Sequence, residues 1–130
     1  MLQRGEAMPD VKPNISATGA DNRRRMGVGL AIVSVASLGA SIAFALPWFV
    51  RVPLVGVPAA FAAVYLFQAH RMTCVVRAGE GVFEGDDLST VPALPEDAVV
   101  SRDVARGIVR DSVLTGVLGG AVAAATTLIR

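Results

Sequence analysis

The chain has a single cysteine, Cys74, and a single histidine, His70. One thiol excludes an internal disulfide and a thiolate metal cluster. One histidine without a second ligand at binding spacing argues against a structural zinc site. Lysine occurs once, at Lys12, and the net charge is only +1, so the basic surface that nucleic acid demands is missing. Aromatic residues make up 5%, too few for a platform on which bases stack. No acid, base and nucleophile stand out as a catalytic group. Gly79, Gly81 and Gly85 lack the spacing and the following Lys-Ser/Thr of a phosphate-binding loop. The sequence predicts neither an enzyme nor a nucleic-acid binder, and it points to no small-molecule substrate.

What the chain has in excess is apolar length. Hydrophobic residues make up 53% and the mean hydropathy is +0.56, above the level of a soluble domain. The excess is concentrated. Gly27–Val50 runs for 24 residues without a charge, Val52–Gln68 for 17, and Val113–Ile129 for 17. At ~1.5 Å per residue the first run spans about 36 Å, more than the ~30 Å hydrocarbon core of a bilayer. A helix apolar on every face needs a large core to hide in, and 130 residues cannot build one. Arg23, Arg24 and Arg25 before the run, and Ala43-Phe44-Ala45 inside it, give it the look of a secretory leader. About 26 polar residues come first, though, and the run exceeds the ~7–15 residues of a leader core. It is therefore read as a retained membrane span.

The expected fold is an all-α membrane protein. A transmembrane hairpin occupies about 27–50 and 52–69, and a C-terminal helix, about 101–129, is read as a third span, the alternative being a helix that lies on the membrane or on a partner. The hairpin as a unit covers 27–71, preceded by a polar cytoplasmic tail, 1–26. Asp21-Asn22 is the expected cap of the first helix. Arg51-Val52-Pro53 is the expected turn. Pro47 would loosen the end of the first helix, Pro53 would open the second, and Pro58 would kink it. An acidic loop with Gly and Pro, 72–100, follows, read as either a short β-hairpin around Val82-Phe83 or an ordered loop on a partner. Ser101 is the expected cap of the last helix, in the unit 101–130, with Asp103 in its first turn. Orientation follows arginine: Arg23, Arg24 and Arg25 precede the first span, Arg71 and Arg77 follow the second, and only Arg51 lies between. Positive-inside bias then places the N-terminus and the loop in the cytoplasm of a multi-pass inner-membrane protein. Trp48 would sit at the outer interface. Arg102, Arg106 and Arg110 recur every four residues before the third apolar run.

Candidate contact residues follow from small side chains. Ser34, Ser37 and Ser41 share a face of the first span, with Ala36-xxx-Ala40 and Gly39-xxx-Ala43 beside them. The second span carries Ala59-xxx-Ala63 and the third Gly116-xxx-Gly120. In lipid such faces let backbones approach closely, either within the chain or against another subunit. His70 could ligate haem iron or a chlorophyll magnesium, or stand as an interfacial histidine. No cofactor is predicted for the isolated chain, so a pigment or haem would be met only through a complex. Cys74 lies four residues after His70, on the same face if the helix continues, where the pair could form a thiol relay. The arginine stripe could bind anionic headgroups, at about 1 kcal/mol each, or pair with Asp103 and Asp111.

Asn14-Ile15-Ser16, the run Asn22 to Leu30 (NRRRMGVGL), Phe67-Gln68-Ala69 and Thr73-Cys74 resemble a family of small two-helix bacterial inner-membrane proteins of unknown function. The same family occurs as the membrane domain fused to some rhodanese-like proteins. The resemblance covers about half of the chain and implies a membrane hairpin of bacterial origin. The family's common Cys-Pro is absent, since Val75 follows Cys74. Together these readings predict a non-catalytic accessory subunit of a larger bacterial membrane complex, respiratory or photosynthetic. Its partners are the bilayer and other integral membrane subunits, hetero-oligomeric rather than homo-oligomeric. The alternatives are a small transporter or thiol-relay protein, and a membrane anchor for a soluble partner.

Overall fold

The computed structural model describes residues 13–129. They form α1 (Ala17–Ala43), α2 (Trp48–His70), α3 (Val75–Glu80), β1 (Val82–Glu84), β2 (Thr90–Pro92) and α4 (Pro95–Ala125). The first 12 residues of the expected N-terminal tail lie outside the described part. α1, α2 and α4 are each long and apolar enough to cross a membrane. This is an all-α, multi-pass membrane protein with a two-stranded ornament between its second and third spans. α2 is the middle helix. It packs along both α1 and α4, which barely touch each other.

The helix ends differ from those expected, for local reasons. Ser16, not Asp21-Asn22, caps α1: its Oγ accepts the Gly19 N–H at 3.0 Å, so the helix begins ten residues before the apolar run. α1 ends at Ala43 rather than Val50. Leu46 N donates to Ser41 O at 3.0 Å and Ala45 N to Ile42 O at 3.1 Å, the double closure of a Schellman motif. The left-handed residue there is Ala45, φ +52°, where glycine is usual. The reverse turn is therefore 44–47, and Pro47 is the N-cap of α2 rather than the end of α1. Arg51 and Pro53 lie inside α2, Pro53 beyond its first turn. Pro58 is internal as expected, and next to the carbonyl it frees, the Ser34 hydroxyl donates to Val55 O at 2.9 Å. Hydroxyls from neighbouring helices are how proline is tolerated in a spanning helix.

α2 ends in a second Schellman closure, Thr73 N to Gln68 O at 3.0 Å, with Met72 left-handed at φ +49°. The loop after it is ordered. β1 and β2 pair antiparallel, Val82 with Pro92, Phe83 with Val91 and Glu84 with Thr90, which is the hairpin of the two readings around Val82-Phe83. α4 starts at Pro95, not Ser101. Leu94 is its N-cap, Pro95 takes the first helical position, and Glu96 and Asp97 supply the first-turn acids. Ser101 is buried within α4 rather than capping it.

Packing of α4 on α2 depends on missing side chains. A Cβ added at Gly116 would lie 2.7 Å from Ala60 Cβ, and one at Gly56 would lie 2.9 Å from the Gly116 carbonyl. One at Gly119 would stand 3.2 Å from Ala59 Cβ, and one at Gly120 3.1 Å from Val52 Cγ1. The Gly116-xxx-Gly120 face is consumed inside the chain, against the Gly56–Ala60 face of α2.

Candidate functional site

Two polar knots close the bundle, one at each end. At the end carrying the α1–α2 turn the knot is Arg51. Its side chain is 2% exposed, although the sequence placed it in an open turn. Nη2 donates to Leu46 O at 2.9 Å and Ser41 O at 3.2 Å. Nη1 donates at 2.8 Å to the hydroxyl of Thr126, the C-cap of α4, which passes a hydrogen bond of 2.6 Å to Ala123 O. Among the described residues no carboxylate pairs with it. The cation is met instead by the carbonyl ends of α1 and α4, the negative poles of two helices. Nε alone is left without a partner. This guanidinium closes the turn by bonding its Leu46 carbonyl. Trp48 and Phe49 sit exposed beside it, edge to face at 6.1 Å.

At the opposite end the knot gathers the residues flanking α1, α2 and α3. Asn14 is fully buried and uses every polar group it has. Its side chain accepts the Cys74 N–H at 2.6 Å and donates to Cys74 O at 3.2 Å. Its backbone donates to Met72 O at 3.0 Å and accepts from Glu84 N at 2.9 Å. Ile15, Ala20 and Cys74 pack together against Met72. Glu84, its side chain only 5% exposed, lies 3.5 Å from Arg23 and 3.6 Å from Arg77. Gly19 leaves it room: a Cβ there would collide with the Glu84 carboxylate. A cavity of about 480 Å³ opens beside this knot, lined by Arg23, Gln68, Cys74 and Arg77 among others.

The structure separates residues that the sequence grouped. His70 is the exposed last residue of α2, while Cys74 is buried beyond the Met72 reversal. The helix does not continue, so the two do not share a face and form no thiol pair. His70 as a haem or chlorophyll ligand would act alone at the rim. Among the described residues no three His, Cys, Asp or Glu side chains gather as a metal site. Ser34 and Ser41 are buried and bond to carbonyls of Val55 and Leu38. Ser37 and Ala59 are half-buried, and Ala63 is buried in the bundle.

The arginines mark the knot end. Arg24 is exposed and Arg25 pairs with Asp21 at 2.9 Å. Arg71 pairs with Asp111 at 2.7 Å and stacks over Phe67 at 5.5 Å. Arg106 pairs with Asp103 and Arg110 with Asp111, each at 3.0 Å. Arg102 donates to Ala78 O at 3.3 Å. The hydrogen bond from Arg71, and next that from Arg110, hold the Asp111 carboxyl below its ordinary pKa. Asp111 lies outside the uncharged stretch of α4. Asn14, Gln68 and Glu84 were not singled out in sequence. Asn14-Ile15-Ser16 ahead of a helix was the available signal, and it belongs to the stretch that carries the resemblance.

No family model, curated protein or solved structure matches the chain.

Proposed function

We propose that the chain is a non-catalytic accessory subunit of a larger membrane protein complex, seated in a bacterial inner membrane with its N-terminus cytoplasmic. The observation that carries this reading is the open face of α1. Gly29, Ile32, Val33, Val35, Ala36 and Gly39 are all exposed, and a Cβ added at Gly29 or Gly39 meets nothing within 4 Å. The α4 glycines, and Gly27 of α1, have found their partner inside the chain, but Gly29 and Gly39 have not. Small residues on a spanning helix permit close backbone approach, and a helix of another integral subunit fits that chemistry. The arginine-rich end, with Arg23, Arg24, Arg25, Arg71 and Arg77, supports the cytoplasmic assignment.

The test is a native gel of complexes extracted from native membranes in mild detergent. Gly39→Leu should release the chain from its co-migrating subunits while it stays inserted, and Leu118→Ile on exposed α4 should leave the complex intact. A Gly39→Leu chain that keeps its subunits, or a wild-type chain that runs as a monomer, overturns the reading. Orientation has its own check. A cysteine placed at Asp86 in a Cys74→Ala background should resist an impermeant thiol reagent added outside intact cells.

A further inference from the structure

The cavity beside the Asn14 knot changes character along one face of α2. Phe61, Val64 and Tyr65 line its deep part, Gln68 follows one turn later, and Arg23, Cys74 and Arg77 close the shallow end. Steps of three and four residues keep the α2 members on one face. α2 runs toward the arginine-rich end, so the seven residues from Phe61 to Gln68 descend about 10 Å from acyl depth to headgroup depth. The polar-to-apolar gradient of the cavity is thus aligned with that of the leaflet beside it.

Gln68 brings to the cavity an amide that no described residue bonds. It is 6% exposed and borders the cavity. Its backbone carbonyl is taken by Thr73 N, yet among the described residues nothing hydrogen-bonds its amide, which carries two donors and an acceptor oxygen. Charge points to the same ligand. Arg23 and Arg77 share one buried carboxylate, Glu84, so two guanidinium groups stand at the cavity with a single buried counter-charge among the described residues. Glu80 also meets Arg77, at 3.3 Å, but its side chain is half exposed, where a pair counts for little.

We propose that this cavity binds one phospholipid of the adjacent leaflet. The Gln68 amide and the guanidinium groups of Arg23 and Arg77 hold the phosphodiester, and an acyl chain lies along Val64 and Phe61. A phosphodiester carries one negative charge, and arginine is suited to phosphate oxygens. The groove lined by Arg102, Arg106 and Arg110 between α3 and α4 is a poorer seat. Most of its lining, with Gly79, Arg102, Ala105 and Arg106, lies beyond the Arg71–Asp111 pair, outside acyl depth. The inference stands apart from the subunit reading, since a free monomer would carry the same site.

Cys74 provides the assay, because it is the only thiol in the chain and lines the cavity. The delipidated full chain in detergent is treated with a small maleimide, alone and with phosphatidylglycerol, diacylglycerol of the same chains, or inorganic phosphate. Phosphatidylglycerol at ten times its Kd should slow the labelling about tenfold, by occupancy, and neither of the others should. Gln68→Leu fills similar space without an unmet amide, and should abolish the protection while helical circular dichroism is unchanged. Equal protection by diacylglycerol would mean apolar packing only, and protection by phosphate alone an anion site without a lipid. Either result overturns the proposal, as does undiminished protection in Gln68→Leu or none in the wild type. Should Gln68→Leu not fold, Val64→Trp fills the deep end instead. It should lose the phosphatidylglycerol adduct in native mass spectrometry, and an adduct retained at wild-type level refutes the seat for the acyl chain.

Discussion

Gly116 and Gly39 offer a paired substitution in which one large effect cancels. Each Gly→Ala change in a helix interior gains about 0.8–1.0 kcal/mol of helix propensity. At Gly39 nothing lies within 4 Å of the new methyl, so that gain stands alone. At Gly116 the methyl arrives 2.7 Å from Ala60 Cβ and 3.1 Å from the Gly56 carbonyl. Neither neighbour has a flexible end to swing away, so α4 must retreat from α2 by roughly the shortfall from van der Waals contact, or the chain must strain. Overpacking of this kind costs about 1–3 kcal/mol. The difference between the two variants isolates the collision, and should therefore be about 1–3 kcal/mol in favour of Gly39→Ala. Unfolding in mixed micelles by titrated SDS, followed by circular dichroism and by the fluorescence of Trp48, the single tryptophan, would measure it. Gly56→Ala, whose methyl would meet the Gly116 carbonyl at 2.9 Å, should behave like Gly116→Ala. If Gly116→Ala proves as stable as Gly39→Ala, then α4 does not pack on α2 through this face, and the central position of α2 falls with it.

Ala45→Gly should stabilise the chain by about 1 kcal/mol in the same titration, because an L-residue held left-handed costs ~1–2 kcal/mol that glycine does not; no gain would mean that the Schellman turn is not formed there. Thr126→Val keeps the shape and deletes the acceptor of Arg51, and should cost about 1.5–3 kcal/mol, the range for bonds to charged groups. A loss below about 0.5 kcal/mol, the level of an ordinary surface change, would show that Arg51 does not reach α4. Asp111, whose folded pKa is depressed, contributes stability above its ordinary pKa of about 3.9 and loses that contribution as pH falls through the folded value. Acid unfolding of Asp111→Asn should accordingly lack that part of the wild-type pH dependence, and identical profiles would remove the Arg71–Asp111 pair from the account.

The spans were legible because three uncharged runs of at least 17 residues admit few soluble explanations. Their ends were not, and the reason lies in Ala45 and Met72. Helix termination is read from glycine or asparagine in the left-handed position, and here alanine and methionine occupy it. Without that mark Pro47 passed for a loosened end and Arg51 for a turn. α4 was started six residues late because Ser101 has the chemistry of a cap, while Leu94 does not. The small-residue face at Gly116 and Gly120 could be seen, but a periodicity names no partner, and the partner was the Gly56–Ala60 face of the same chain. The Asn14 knot was hidden for a different reason. Its bonds join residues 60 positions apart, and no local pattern announces which carbonyl a buried amide will meet.

The Arg51 clamp bears on the order in which the chain is put together. α1, the turn and α2 emerge from the ribosome well before Thr126, which lies 75 positions after Arg51. Until then the guanidinium has only the carbonyls of the turn, Ser41 and Leu46, and remains more favourably placed in the polar headgroup layer than beneath it. The hairpin alone therefore lacks one of the partners of Arg51, and the set is complete only once the α4 terminus is in place. Arg51 and Thr126 thus tie the first half of the chain to its last helix, a bond across 75 positions that only the whole bundle can make.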